Sequence, residues 1–338
     1  MGNDTSYVSN RHVVGDFVSN LIRQLKFKRG DFKTIGTFGG FTSLVDLGNF
    51  AIAFNTDNVG TKSIIAEQMN RYDTIGIDCI AMNVNDTITS GAEPIAMVDY
   101  IELNSVDPEV GKQLGTGLNV GSQIANVTLV GGETSIVPDL VNHVDLAGTV
   151  FGIVQKPQII TGESIKDGDL IFAFGSSGIH SNGLTAVRSI LSSEGLSLED
   201  KFEGETKSIG DVLLEPTRIY VREVMDAMSI VNIKGMANVT GGGIRNIARL
   251  KDMRYVFENP MDPQNLFKQI KKIGRMTDEE MYETFNMGMG FLMIIDPDSK
   301  RDLINTLRNK VPLKEVGHVE NGNSIDIPGL ELSYTGYY

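Results

Sequence analysis

Three acids stand out by position: Asp57, Asp86 and Glu133. Asp57 follows a short apolar run, 50–55, and precedes a turn holding Gly60 and Lys62. Asp86 lies eleven residues after Ile75. At about 100° per residue it returns to the apolar helical stripe of Ile75, Cys79 and Met82. Glu133 follows Gly131 and Gly132 at the end of a short apolar strand, where paired glycines let a backbone approach a ligand closely. A carboxylate among apolar residues must be paired, hydrogen-bonded or bound to metal, since an unpaired buried charge costs on the order of several kcal/mol. Each acid alone also reads as a helix cap or a surface salt bridge. Lys62 is a poor match for two such acids. Together the three point to a divalent cation holding phosphate oxygens, a Mg-nucleotide site.

The elements that must carry these residues alternate. Apolar strands are expected at 50–55, 96–103, 127–130 and 146–154, with helices at 73–90 and 108–126 between them. An amphipathic helix over 13–25 precedes them, followed by a basic patch of Lys26, Lys28, Arg29 and Lys33 and by the glycines 36, 39 and 40. A polar, turn-rich stretch, 156–169, separates this half from a second apolar strand at 170–174. Beyond it, helices are expected at 182–194, 215–228 and 299–309, a loop-helix at 240–250 and a strand at 289–295. The periodicity gives two α/β domains, 1–158 and 159–338.

The second half carries its own anion chemistry. GSSGIHSNG, residues 175–183, joins a strand to a helix and holds Ser177, His180, Ser181 and Asn182. Such a loop turns free backbone N–H groups and a helix dipole toward an anion. VTGGGIRNIARL, 239–250, repeats the idea, with Thr240 as the expected N-cap before Gly241 and Gly242. A lone histidine is also an ordinary loop hydrogen-bonder, and a glycine run an ordinary tight turn. No G-x-x-x-x-G-K-[ST] occurs, and GMG at 288–290 lacks the third glycine of a dinucleotide fingerprint.

The order of motifs carries a family resemblance. NTDNVGTK (55–62), DTIGIDCIAMNVNDTITSGAEP (73–94), LVGGET (129–134), DLAG (145–148), GSSGIHSNG (175–183), EPTRIYV (215–221), VTGGGIRNI (239–247) and MYETFNMGMG (281–290) follow one another. Together they closely resemble the aminoimidazole ribonucleotide synthetase, or phosphoribosylformylglycinamidine cyclo-ligase, family. The resemblance implies an α+β fold of two domains, the first-domain sheet pairing in a homodimer and the second a mixed sheet with helices. It implies ATP-dependent ring closure of formylglycinamidine ribonucleotide, with ATP and Mg²⁺ as cofactors. Metal would sit on Asp57, Asp86 and Glu133, and nucleotide also on Gly36, Gly39, Gly40, Thr61 and Lys62. Asp57, Asp86 and His180 would be catalytic, His180 either binding substrate or moving a proton. Ser177, His180, Ser181, Asn182, Thr240, Gly241 and Gly242 would hold the ribonucleotide. Asn55, Asn58, Thr37 and residues 135–139 depart from the family's pattern. Thiamine monophosphate kinase and the hydrogenase carbamoyl-dehydrating factor share the architecture but not the PTRIYV, TGGG and TFNMGMG series. Selenophosphate synthetase needs a cysteine in the glycine segment, and the single cysteine here is Cys79.

Composition sets the remaining bounds. The chain has 338 residues, 41% hydrophobic and 22% charged, with a net charge of −13. That balance argues against nucleic acid as a partner. One cysteine leaves no disulfide framework and no cysteine zinc cluster, and its place on the helix stripe makes it a core residue. No apolar run approaches ~20 residues and no signal peptide is evident, so a cytoplasmic protein without membrane contact is expected.

Overall fold

The computed structural model describes residues 11–27, 29–36 and 40–336, with residues 11–15 described by their backbone alone. Gly39, Thr37 and Lys28 lie outside the described residues. The first half forms a six-stranded sheet from β1 (Thr34–Ile35), β2 (Ser43–Asp46), β3 (Phe50–Asn58), β4 (Glu93–Leu103), β5 (Thr128–Ile136) and β6 (Asp145–Gln155). Its order is β1-β2-β3-β6-β4-β5, antiparallel except where β4 meets β5. The second half forms a seven-stranded sheet from β7 (Leu170–Gly175), β8 (Ile233–Asn238), β9 (Arg254–Val256), β10 (Met289–Ile295), β11 (Leu313–Glu320), β12 (Ser324–Ile327) and β13 (Leu332–Tyr334). That sheet is mixed, in the order β13-β12-β9-β11-β7-β10-β8. The helices are α1 (Arg11–Gln24), α2 (Lys62–Gln68), α3 (Asp73–Ile88), α4 (Pro108–Ala125), α5 (Leu184–Ser193), α6 (Ile209–Leu213), α7 (Val221–Met228), α8 (Asn265–Gly274), α9 (Asp278–Thr284) and α10 (Lys300–Leu307).

α3 is the central element. Nearly all of its residues are buried, including Asp78, Asn83 and Asn85. Glycines let its neighbours come close. A Cβ at Gly117 of α4 would stand 1.9 Å from the Asp73 carbonyl, and one at Gly148 of β6 would stand 3.3 Å from Cys79 Sγ. Cys79 is a core residue whose thiol burial pushes far above its ordinary pKa, as expected. α4 has the ends its sequence dictates: Asp107 caps it by accepting the Glu109 N–H, Pro108 opens it, and Asn126 closes it in the left-handed conformation.

The two halves are tied by a buried ion pair. Lys62 of α2 and Asp78 of α3 are both 0% exposed, with Nζ 2.8 and 2.9 Å from the carboxylate oxygens. Lys62 Nζ also donates to the Glu215 carbonyl at 2.7 Å. The Thr217 N–H and hydroxyl donate to Asp78 Oδ1 at 2.7 and 2.5 Å. Three residues further, the Tyr220 N–H donates to Asn85 Oδ1 at 3.0 Å, and Asn85 Nδ2 donates to the Arg218 carbonyl at 2.8 Å. These bonds explain why 215–220 is not helical and α7 begins only at Val221. Pro216 and side chains of α3 have taken the backbone groups a first turn would use.

Removing one member of this pair leaves the other charge buried. Asp78→Ala should lose about 3–5 kcal/mol of stability, while the double variant Lys62→Met, Asp78→Leu should recover most of it. Urea unfolding of the two single variants and the double variant measures this. Equal losses for single and double variants would show that the pairing is not what stabilises the junction.

Candidate active site

Asp57 lies within β3, which continues to Asn58, and not in a loop as its neighbouring glycine suggests. Asn83 of α3 holds the end of that strand from the side. The Asp57 N–H donates to Asn83 Oδ1 at 3.0 Å, and Asn83 Nδ2 donates to the Asp57 carbonyl at 3.1 Å. Asn58 pairs with Ala147 as an ordinary strand residue, so the asparagines at 55 and 58 need no glycine conformation. The Asn58 N–H donates to Asp57 Oδ1 at 2.8 Å. Burial raises the Asp57 pKa, and that hydrogen bond pulls it partly back.

Asp86, one turn beyond Asn83, meets the second half of the chain. Asn238, the last residue of β8, donates from Nδ2 to Asp86 Oδ1 at 2.7 Å. Burial pushes Asp86 up from 3.8 to about 7; the Asn238 hydrogen bond and the Arg249 charge oppose this, and the Asp57 charge adds to it. The structure thus brings Asp57 and Asp86 into one electrostatic neighbourhood. Arg249 also donates to the Gly40 carbonyl at 2.5 Å and stands 4.0 Å over the Phe41 ring. It therefore ties the glycine segment that holds Gly40 to the second half. Gly36 lies just after β1 in the left-handed region, φ 85°.

Glu133 does not join the other two acids. β5 runs through the glycines, and Asp57, Gly148, Asp99 and Gly132 form one row across β3, β6, β4 and β5. Strand spacing of about 4.8 Å puts Gly132 ~14 Å from Asp57. Glu133 follows Gly132, so its side chain belongs to the opposite, exposed face. Among the described residues no three acids, histidines or cysteines could hold one metal ion. Lys62 likewise departs from its expected place. Its ammonium is inside the Asp78 pair, where burial lowers its pKa against the pull of Asp78. Thr61 does not cap α2; its hydroxyl lies 3.1 Å from that of Thr185, joining the starts of α2 and α5.

The second-half loops converge on the same junction. His180 is 2% exposed and sits in the left-handed region at φ 64°. The Ser177 N–H points at His180 Nε2 from 3.3 Å, which assigns the ring proton to Nδ1. Ser177 Oγ donates to the Pro216 carbonyl at 2.5 Å. Burial, with the charges of Lys62 and Arg218, lowers the His180 pKa to about 3, so the ring is neutral at any ordinary pH. A neutral, buried imidazole suits hydrogen bonding to substrate better than accepting a proton from it. Gly290 makes room for it, since a Cβ there would meet His180 Cε1 at 2.6 Å and the Tyr220 hydroxyl at 2.0 Å.

Asn182 reaches the second glycine loop, its Oδ1 3.4 Å from where a Cβ of Gly241 would stand. Thr240 does not cap a helix. A 3-10 turn, Gly243–Arg249, starts later behind Gly242 at φ 103°. Asn246 braces that loop by donating to the Gly243 carbonyl at 2.9 Å. Ser181 Oγ, Asn182 Nδ2 and Arg218 Nε are buried without a hydrogen-bond partner. Unanswered buried donors in one loop cluster mark a place built to receive acceptor atoms. The sequence reading missed Asp78, Asn83, Arg218, Asn238 and Arg249. Polar residues recurring inside an apolar helix, at 78, 83 and 85, were the available signal for the first two.

The chain is similar to known proteins along most of its length. The family model described as AIR synthase related protein, N-terminal domain, matches residues 41–154, and its C-terminal counterpart matches 166–328. A phosphoribosylformylglycinamidine cyclo-ligase from Thermoplasma volcanium is 60% identical over 331 residues, with 98% of each chain covered. One from Methanocaldococcus jannaschii is 43% identical over 319 residues, with 91% of each covered. The solved thiamine-monophosphate kinase from Stenotrophomonas maltophilia has a TM-score of 0.65 at 17% identity, covering 93% of this chain and 96% of that one. That likeness establishes the fold.

The raised Asp86 pKa has a definite sign in stability. The folded chain holds this proton at pH values where the unfolded chain has released it. The stabilisation is complete below pH 3.8 and lost as pH rises toward about 7. Asp86→Asn should remove that part of the decline and raise the ligand-free melting temperature at pH 8 by roughly 2–8 °C. Thermal melts of both proteins at pH 5 and pH 8 check it, and parallel melting curves across that range would exclude it.

Proposed function

The chain belongs to the AIR synthase family, and on that premise we propose that Asp57 and Asp86 hold the phosphates of ATP through Mg²⁺ while the second-half loops hold the ribonucleotide. The reaction is the ATP-dependent ring closure of formylglycinamidine ribonucleotide to aminoimidazole ribonucleotide, a ligase step of purine biosynthesis. The observation that carries the site assignment is the Asp86–Asn238 hydrogen bond, which joins the acid pair to the second sheet. We assign the nucleotide and the dimer contact to residues 1–158 and the ribonucleotide to 159–338. A cytoplasmic location fits this chemistry, and no described helix is long and apolar enough to cross a membrane.

Two carboxylates fit magnesium, which binds through one or two of them and takes its remaining ligands from phosphates and water. When bound, the ion neutralises negative charge on the phosphates as the γ-phosphoryl moves. The γ-phosphoryl passes to the formyl amide oxygen and ADP is released; an amidine nitrogen then attacks the activated carbon and loses its proton, and the C–O bond breaks as phosphate leaves. Asn238 keeps Asp86 in one rotamer, so the second half cannot shift without disturbing the acid. Asn83 fixes the backbone from which Asp57 extends. His180 offers its Nδ1 proton to a substrate acceptor, and Ser181 and Asn182 offer further donors. Closing these groups around the substrate excludes water from an activated imidate.

The open face of the first sheet supports a homodimer. Val98 and Tyr100 of β4 and Phe54 of β3 are exposed, and Val130, at the irregularity of β5, is 64% exposed. An apolar sheet face of this extent calls for a partner. Glu133 stands on this face, and we assign it to the contact between copies.

Asp57→Asn should lower turnover by roughly 100-fold or more while leaving the circular dichroism spectrum unchanged. The assay is ATP-dependent conversion of formylglycinamidine ribonucleotide, and wild-type turnover with an unaltered magnesium dependence in the variant would remove Asp57 from the metal. Val130→Lys should split the dimer. Light scattering at micromolar concentration reads that outcome, and a native chain already monomeric and active would overturn the interface.

A further inference from the structure

One cation at the junction remains unanswered. Arg218 lies in the segment 215–220, whose backbone α3 fixes through Asp78 and Asn85. Its side chain has no such anchor. Among the described residues the guanidinium makes no hydrogen bond and no ion pair, and its Nε is buried without a partner. Its charge is felt by His180, Tyr220 and Glu223, yet Glu223 does not come within ion-pair distance. Lys62, the other cation near His180, is neutralised by Asp78. Arg218 is therefore a net positive, half-buried group whose charge acts on His180. It lies on a segment that the 175–183 loop touches through Ser177 Oγ and the Pro216 carbonyl, and Ser181 Oγ and Asn182 Nδ2 of that loop are also unpartnered. Such a charge is costly to keep without a counter-ion, and a guanidinium is shaped to take two oxygens of one anion.

We propose that Arg218 binds a phosphoryl group in the active cleft. The proposal deepens the cyclo-ligase reading and rests on it for the identity of the anion, since both substrates of that reaction carry phosphate. The phosphoryl comes either from the ribonucleotide, as its 5′-phosphate, or from ATP, as the group in transit. His180 and Arg218 then act as a pair in which a neutral ring donates one hydrogen bond and the guanidinium supplies the charge. Burial keeps the imidazole unprotonated, and the cations near it, Arg218 among them, add to this because they disfavour another positive charge.

Arg218→Met and Arg218→Lys in the full chain test this. Arg218→Met should not lower the ligand-free melting temperature, because it removes an unanswered charge. A KM for the ribonucleotide raised about 10- to 100-fold at near-normal kcat would identify the 5′-phosphate. A fall in kcat of about 1,000-fold, or weaker calorimetric binding of a non-hydrolysable ATP analogue, would identify the phosphoryl from ATP. Arg218→Lys should restore part of the loss, keeping charge without the fork. Kinetic constants and analogue affinity in Arg218→Met within about threefold of wild type would overturn the assignment, as would a ligand-free melting temperature lower by more than about 5 °C. Wild-type turnover in the same assay separates these failures from a failure of the cyclo-ligase reading.

Discussion

Beyond its half-exposed first residue α3 is buried on nearly every side, and the carboxylates and carboxamides it carries there, four of them, cannot go unanswered. Asp78, Asn83, Asn85 and Asp86 each need a partner, and each finds one outside the helix. Asp78 takes Lys62 and Thr217. Asn83 takes the end of β3. Asn85 takes the backbone between Arg218 and Tyr220, and Asp86 takes Asn238. Because a missed hydrogen bond in this setting costs about 1–3 kcal/mol, few alternative placements of these segments are tolerable. The active cleft is thus the set of positions that satisfies α3.

This constraint separates what the sequence could reveal from what it could not. The long periodic elements were legible: α3, α4, β6 and β10 lie within a residue or two of where their apolar patterns put them. So was the nearness of Asp57 and Asp86, since both sit beside apolar runs with no visible counter-ion. Glu133 looked equivalent because the strand pattern fades at its glycines. Nothing in the sequence says that β5 is an edge strand, three places from β3. Lys62 was misplaced for a related reason: its true partner, Asp78, reads as one polar residue on a helix face until that face is known to be buried. The expected helix at 215–228 begins only at Val221, because Pro216 and the tertiary hydrogen bonds of 217–220 keep the first residues out of it. In the second half the strands β8, β9 and β11–β13 are short or glycine-containing, so pairing rather than pattern defines them.

Charge is arranged across the junction in opposite senses. The first half contributes two carboxylates, both raised by burial and one, Asp86, raised further by the charge of Asp57, a state relieved by a cation. The second half contributes Arg218 and the unpartnered donors of Ser181 and Asn182, a state relieved by an anion. A metal-bound nucleotide and a phosphorylated substrate satisfy both at once. The histidine that feels the Arg218 charge is held neutral by burial and by the cations near it.

These features share a cost in the ligand-free chain. Repelling acids, a positive-φ histidine and buried donors without acceptors each destabilise the fold relative to a simpler core. They persist because α3 and the second sheet fix the segments that carry them through other hydrogen bonds as well. The Lys62–Asp78 pair and the Asn85 clamp hold the frame, and the strained groups are mounted on it. Binding then releases, at the moment the substrates meet, free energy that the ligand-free fold has kept in reserve. A cleft that was fully satisfied when empty would be more stable and would have less to offer a transition state.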